Sequence, residues 1–86
     1  MLERINLIMK LIFQYSNKEE ILIKESDSKQ ELIDAINNFL YEKGYKTYYT
    51  RVWEENGRLK IDFGSWSEFF FIDGMTYQDW IKKEKK

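Results

Sequence analysis

The chain has 86 residues, which is enough for one hydrophobic core and excludes a division into two domains. Hydrophobic residues make up 43% and charged residues 34% of it, a composition typical of a folded protein rather than a disordered one. The formal net charge of −1 excludes the strongly positive field on which non-specific nucleic-acid binders depend.

The absence of cysteine and the length of the apolar runs bear on location. Without cysteine no disulfide can form, and an intracellular, cytoplasmic location is the simpler interpretation. The longest apolar run, Phe69 to Ile72, is far shorter than the roughly 20 residues needed to cross a bilayer. We therefore expect no insertion into a membrane.

The first predicted elements form a β-hairpin. From Ile5 to Tyr15 every odd position is apolar, which predicts a strand with one apolar face. Ser16, Asn17 and Lys18 interrupt this alternation, and an extended pattern resumes over residues 20–25.

A helix is predicted next. Ser28 and Glu31 have the spacing of a capping box, in which each side chain bonds a backbone N–H at the start of a helix. Gly44 suits the left-handed end of a helix. Between them the apolar residues recur at helical spacing and form one stripe: Leu32, Ile33, Ile36, Phe39 and Leu40.

A second hairpin is predicted around Asn56-Gly57, the strongest short-range signal for a two-residue turn. Its strands would run over residues 45–54 and 58–63. If positions 56 and 57 are the loop, paired positions sum to 113. The expected pairs are Arg51 with Asp62, Val52 with Ile61, Trp53 with Lys60 and Glu55 with Arg58.

The last part of the sequence predicts a fifth strand and a short helix. After a turn or bulge at residues 64–67, residues 68–72 contain three consecutive phenylalanines, which suits a strand covered on both faces. Thr76 and Asp79 repeat the capping-box spacing. Tyr77, Trp80 and Ile81 would form the apolar stripe of that helix.

The element order is therefore β-β-α-β-β-β-α. It predicts a single α+β domain over residues 1–86, in which one main helix packs across an antiparallel sheet of about five strands and a short helix ends the chain. The first five elements resemble the β-grasp pattern of hairpin, helix and hairpin. Because that fold hosts many unrelated activities, the resemblance implies no particular function.

The inventory of reactive residues argues against an enzyme. Histidine and cysteine are both absent, so the usual triads and the commonest metal ligands cannot be built. The sequence has no phosphate-binding, dinucleotide-binding or EF-hand motif. The carboxylates at Glu19, Glu20, Asp27, Glu54 and Glu55 are interpreted as solvated groups. We expect no catalytic residue, no cofactor and no metal.

The second hairpin presents a candidate surface for binding a partner. Alternation sends one set of side chains to the core and the other set outward. The outward set is rich in tyrosine, tryptophan and arginine, which are enriched at binding hot spots. The predicted partner-binding residues are Tyr49, Arg51, Trp53, Lys60, Asp62 and Trp66.

Two structural interpretations of this surface stay open beside the functional one. Trp53 with Lys60 is a candidate cation–π pair, and Arg51 with Asp62 is a candidate ion pair. In this interpretation the outward side chains interact with one another and the face has no binding partner. Alternatively, the C-terminal helix would fold back over it. The acidic residues Glu31, Asp34 and Glu42 form a second candidate surface, or an ordinary solvated helix face.

The composition as a whole resembles that of accessory proteins from phages and prophages of bacteria with AT-rich genomes. The chain is short, lacks cysteine, histidine and proline, and is rich in lysine, isoleucine, asparagine, phenylalanine and tyrosine. Many such proteins inhibit host machinery, and anti-CRISPR proteins are among them. The resemblance implies a non-enzymatic inhibitor whose partner is a host protein, such as a CRISPR nuclease.

Two further classes of function stay open. In a single-stranded nucleic-acid binder, Tyr49, Trp53 and Trp66 would stack on bases, while Arg51, Arg58 and Lys60 would contact phosphates. In a self-associating protein, the exposed aromatic residues would form a homodimer.

Overall fold

The predicted order of elements is confirmed in the computed structural model, which describes residues 8–45 and 50–82. Five strands and two helices follow one another in the order β-β-α-β-β-β-α. Their bounds are β1 (Met9–Gln14), β2 (Glu20–Ser26), α1 (Lys29–Lys43), β3 (Arg51–Glu55), β4 (Arg58–Asp62), β5 (Phe69–Asp73) and α2 (Tyr77–Ile81).

All five strands join one antiparallel sheet in the order β2-β1-β5-β4-β3. The strand with three phenylalanines, β5, therefore lies at the centre of the sheet and separates the β1–β2 hairpin from the β3–β4 hairpin. The apolar run of β5 is buried on both faces of the sheet, since Phe70 and Ile72 are 0% exposed on one face and Phe71 is 4% exposed on the other.

The second hairpin has the predicted register. Asn56 and Gly57 have φ angles of 55° and 78°, the left-handed pair that a type I′ turn requires. Arg51 pairs with Asp62 and Trp53 pairs with Lys60, as expected if the residue numbers of each pair sum to 113. The alternation of side chains between the two faces follows from this register.

The first hairpin contains an irregularity that the sequence analysis did not predict. Leu11 pairs with Lys24, but the next residue, Ile12, pairs with Leu22, so Ile23 is an extra residue in β2. This is a β-bulge, which bends a strand locally and interrupts its ladder of hydrogen bonds. Part-buried Ile23 packs against the core from this position.

The predicted capping box at α1 is right in one half only. The Ser28 hydroxyl accepts a hydrogen bond from the Glu31 backbone N–H at 3.2 Å, as expected. The Ser28 backbone N–H, however, donates to the Ser26 hydroxyl at 2.9 Å, and that hydroxyl donates to the Glu31 carboxylate at 2.7 Å. The Ser26 hydroxyl therefore bridges the Ser28 backbone N–H and the Glu31 carboxylate, because a hydroxyl can accept and donate at once.

The hydrophobic core lies between α1 and one face of the sheet, which we call the inner face. Leu32, Ile36 and Leu40 of α1 are buried there. The sheet contributes buried side chains from its three central strands: Leu11, Phe13, Leu59, Ile61, Phe70 and Ile72. The opposite side of the sheet is the outer face.

The short helix α2 lies on the inner side of the sheet and not on the outer face. Trp80 packs against the core, whereas Tyr77 and Ile81 are 39% and 50% exposed, so the predicted apolar stripe is reduced to one residue. The Tyr77 backbone N–H donates to Glu54 at 2.6 Å. The Lys29 ammonium donates to the carbonyls of Trp80 and Lys82 at 2.7 and 2.8 Å, which holds the end of α2 against the start of α1.

Replacing Lys29 with methionine is expected to loosen α2 without unfolding the sheet. The substitution removes the hydrogen bonds of a partly exposed ammonium group, which together contribute about 1.5 kcal/mol, so local opening should become about tenfold more frequent. Amide hydrogen exchange at Trp80 and Lys82, followed by NMR, measures this change. Lys24→Met is the matched control, and equal protection of α2 in both variants would contradict the prediction.

Candidate functional site

The outer face carries the side chains that alternate with the core residues of β3, β4 and β5. They are Arg51, Trp53, Glu55, Arg58, Lys60, Asp62, Phe69, Phe71 and Asp73. Both described helices contact the inner side of the sheet, so neither covers this face. The alternative in which the C-terminal helix folds back over the aromatic hairpin is not observed.

A groove of about 710 Å³ lies at one end of the outer face. Five of the six predicted partner-binding residues line it, and the sixth, Tyr49, lies outside the described residues. The lining residues are Arg51, Trp53, Lys60, Asp62, Gly64, Ser65, Trp66 and Phe69. The structure thus brings the predicted residues together in one depression. We call it the outer groove.

Sequence reasoning missed the contribution of β5 to this groove. Phe69 lines it, because β5 pairs with β4 and its odd positions share the outer face with Lys60. Alternation within the phenylalanine run was the signal, but the run was interpreted as covered on both faces. Without the strand order, the partner of β5 was unknown.

A buried carboxylate anchors the floor of the outer groove. Asp62 is only 4% exposed, and its Oδ2 lies 3.2 Å from Nη2 of Arg51. Its Oδ1 accepts a hydrogen bond from the backbone N–H of Gly64 at 2.9 Å. The predicted ion pair is therefore confirmed, and it also fixes the turn that follows β4.

The ammonium group of Lys60 lies among three aromatic rings. Its Nζ is 4.1 Å from the ring centre of Phe69, 5.6 Å from that of Phe71 and 5.7 Å from that of Trp53. The predicted cation–π pair with Trp53 is thus confirmed as part of a larger arrangement. Glu55 completes it with an oxygen at 3.3 Å from Nζ.

The carboxylate of Glu55 links Trp53 and Lys60. It accepts a hydrogen bond from the indole N–H of Trp53 at 3.2 Å and lies within bonding distance of Lys60. These two hydrogen bonds, that of Trp53 first, hold the pKa of Glu55 below its usual value. The indole ring is therefore held in one orientation at the edge of the groove.

Arg58 covers a part of the outer face that lies beside the outer groove. Its guanidinium carbon lies 4.1 Å from the ring centre of Phe71. Its Nε donates to Asp73 at 2.7 Å, and its two terminal nitrogens donate to Glu20 at 2.9 and 3.1 Å. This cover explains why Phe71 is only 4% exposed on a face that neither of the described helices covers.

The same contacts make stability depend on pH. The hydrogen bond from Arg58 lowers the pKa of Glu20, and the hydrogen bonds from Trp53 and Lys60 lower that of Glu55, both from an ordinary 4.5. The folded protein therefore binds fewer protons than the unfolded chain near pH 4. This stabilisation is complete above the unfolded pKa and is lost as the pH falls through the lowered folded values.

We therefore expect the free energy of unfolding to decrease between about pH 5 and pH 3, where glutamates titrate. Urea denaturation at several pH values measures the decrease. The double variant Glu20→Gln with Glu55→Gln should show a flatter profile in this window. An unchanged slope in the variant would assign the pH dependence to other carboxylates.

The rim of the outer groove is formed by Trp66 and Arg51. Trp66 is 98% exposed, and the side chain of Arg51 is 66% exposed. The loop that carries Trp66 is held by the Ser65 hydroxyl, which accepts hydrogen bonds from the backbone N–H groups of Ser67 and Glu68. A large indole ring is thus presented to solvent on a loop with defined hydrogen bonds.

The acidic surface predicted on the main helix lies beside the sheet edge and not near the outer groove. Glu31, Asp34 and Glu42 line a second groove, of about 450 Å³, between α1 and β2. The other lining residues are Ile23, Lys24, Ala35, Asn38 and Phe39. We call this the edge groove.

Two kinds of feature are absent from residues 8–45 and 50–82. No three acidic, histidine or cysteine side chains there are grouped as metal ligands. No helix in this part of the chain is long and apolar enough to span a membrane.

Comparison with protein-family models, with curated proteins and with solved structures finds no significant match to this chain.

Proposed function

We propose that the chain is a non-enzymatic protein-binding module that docks through the outer groove. The observation that carries this proposal is the nearly complete exposure of Trp66 at the rim of a groove whose other walls are held by hydrogen bonds and ion pairs. Tryptophan and arginine dominate binding hot spots because each combines a large contact area with directed hydrogen bonds. A rigid groove also reduces the ordering cost of binding.

The pairing of charges favours a protein partner over a nucleic acid. Each of the three cations Arg51, Arg58 and Lys60 has a carboxylate within 3.3 Å, from Asp62, Glu20 and Glu55 respectively. Phosphates would have to compete with these carboxylates for the cations. Protein interfaces, in contrast, are enriched in aromatic residues and arginine, both of which line this groove.

The partner that we propose is a host protein that the module inhibits, and a CRISPR nuclease is the first candidate to test. The resemblance of the composition to phage and prophage accessory proteins supports this choice. Inhibition by such a small domain requires only that it occupy a functional surface of the partner. No reactive residue is needed for that purpose.

The experiment compares proteins captured from a bacterial lysate by the wild type and by groove variants. Trp66→Ala and Arg51→Gln are expected to reduce the amount of the specific partner at least about tenfold, as loss of a hot-spot side chain does. Tyr41→Ala is the matched control, because Tyr41 is an aromatic residue that is 86% exposed on α1. If the groove variants retain every captured protein, the outer groove is not the docking surface.

A single-stranded nucleic-acid binder is the second candidate, favoured by one specific observation. Trp53, Trp66 and Phe69 line the same groove as Arg51 and Lys60, so three rings and two cations are adjacent. Stacking on such rings would quench tryptophan fluorescence, and the affinity would fall steeply with added salt. From the proposed function we expect constant fluorescence when an oligothymidylate is added at low salt.

A further inference from the structure

One edge of the sheet is formed by β2. β2 is the last strand on its side of the sheet, and no described strand pairs with its outer edge. An unpaired edge presents backbone N–H and C=O groups that can accept a further strand. Ile21 and Leu22 on this strand are 39% and 53% exposed. The edge therefore combines unpaired backbone with apolar side chains.

The edge groove runs beside this strand and has an apolar floor. Ile23, Ala35 and Phe39, all half-buried, supply that floor. β2 forms one wall and α1 the other. An extended peptide that paired with β2 would direct alternate side chains towards this floor, because successive side chains of a strand point to opposite faces.

The helical wall sets the charge of a ligand that would fit. Glu31, Asp34 and Glu42 line this wall and are exposed, and Lys24 is the one cation among the lining residues. The rise of 1.5 Å per residue places Asp34 and Glu42 about 12 Å apart along the helix. Residues four apart in a strand are about 13 Å apart, so the carboxylates match basic residues at that spacing.

We propose that the edge groove binds an extended segment of a partner protein in which two lysine or arginine residues, four positions apart, flank an aliphatic residue midway between them. The segment adds a strand to β2 and directs these three alternate side chains towards α1, so that the aliphatic one contacts Ile23 and Phe39 and the two cations pair with Asp34 and Glu42. Peptide recognition by strand addition combines backbone hydrogen bonds with side-chain pockets in this way. This surface is separate from the outer groove and lies on the other side of the sheet.

The bulge at Ile23 favours a short peptide over a second copy of the chain. Continuous pairing of two edge strands requires a long, regular edge, and the extra residue interrupts β2 near its middle. A flexible segment can pair with the residues on one side of the bulge. Two copies related by symmetry would bring both bulges into the interface.

Selection from a display library of random ten-residue peptides tests the proposal with a defined probe. The immobilised full-length protein is expected to enrich peptides that carry two lysine or arginine residues four positions apart, with valine, isoleucine or leucine midway between them. Their affinity should fall at least about tenfold in the double variant Asp34→Lys with Glu42→Lys, the loss expected when two charge pairs become repulsive. Proline at the centre of a selected peptide should lower its affinity by a similar factor, because proline has no backbone N–H to donate to the neighbouring strand.

Glu19→Lys is the matched control, because Glu19 is an exposed acidic residue in the turn before β2 that does not line the edge groove. Its affinity for the selected peptides should stay within about twofold of the wild type, since exposed charges at a distance are screened by salt. The proposal is overturned if no sequence with two basic residues four positions apart is enriched, or if both charge variants bind equally. Self-association that Leu22→Lys abolishes would assign the edge to a second copy. None of these outcomes bears on Trp66, so the outer groove is tested independently.

Discussion

Replacing Phe13 with alanine is expected to lower the free energy of unfolding by about 3–5 kcal/mol, the range for large-to-small changes at buried aromatic positions. Phe13 is fully buried, and its ring centre lies 4.7 Å from that of Phe39 and 5.2 Å from that of Phe70. The cavity would open at the point where α1 meets β1 and β5. A small domain typically has only about 5–15 kcal/mol of stability, so the loss is a large share of it.

Urea denaturation followed by far-ultraviolet circular dichroism measures this effect. Tyr41→Ala is the matched control, because Tyr41 is an aromatic residue whose exposure makes a change of more than about 0.5 kcal/mol unexpected. A loss of less than about 1.5 kcal/mol for Phe13→Ala would mean that the core refills the cavity, contrary to the close packing of the rings.

Replacing Arg58 with alanine is expected to have the second largest effect, a loss of about 2 kcal/mol. Two partly exposed ion pairs, to Glu20 and Asp73, contribute about 0.5–1 kcal/mol each after screening by solvent. The remainder comes from Phe71, which the guanidinium group covers and which would become exposed to water. This is a large effect for a residue on the surface of a sheet.

Arg58→Lys separates the two contributions. Lysine keeps the positive charge but lacks the planar group that stacks on Phe71 and bonds Glu20 through two nitrogens. Its stability should lie about midway between those of the wild type and Arg58→Ala. If Arg58→Ala lowered the free energy of unfolding by less than about 0.5 kcal/mol, the contact of Arg58 with Phe71 would not contribute to stability.

The parts of the fold that local chemistry determines could be predicted from the sequence. The turn at Asn56-Gly57 follows from the left-handed conformation that those two residues tolerate, and the register of β3 with β4 follows from the turn. The outward alternation of Arg51, Trp53 and Lys60 follows from the register. For this reason most of the candidate site could be predicted from the sequence alone.

The parts that depend on contacts between distant segments could not be predicted. The position of β5 between the two hairpins is set by pairing of Phe70 with Phe13 and Ile61, which no local pattern reveals. The run of phenylalanines predicted a strand covered on both faces, but not that the side chain of Arg58 would cover Phe71. The bulge at Ile23 likewise depends on how β2 meets β1.

The central position of β5 has a consequence for the order in which the chain can fold during synthesis. β5 is the last strand to leave the ribosome, yet it alone joins the two hairpins that precede it among the described strands. Until residue 73 has emerged, β1 and β4 each lack the neighbour that completes them, and the nascent chain exposes two unfinished sheets. Such intermediates are prone to aggregate, so a premature stop ahead of β5 would yield a product without a closed core and not a shortened native protein.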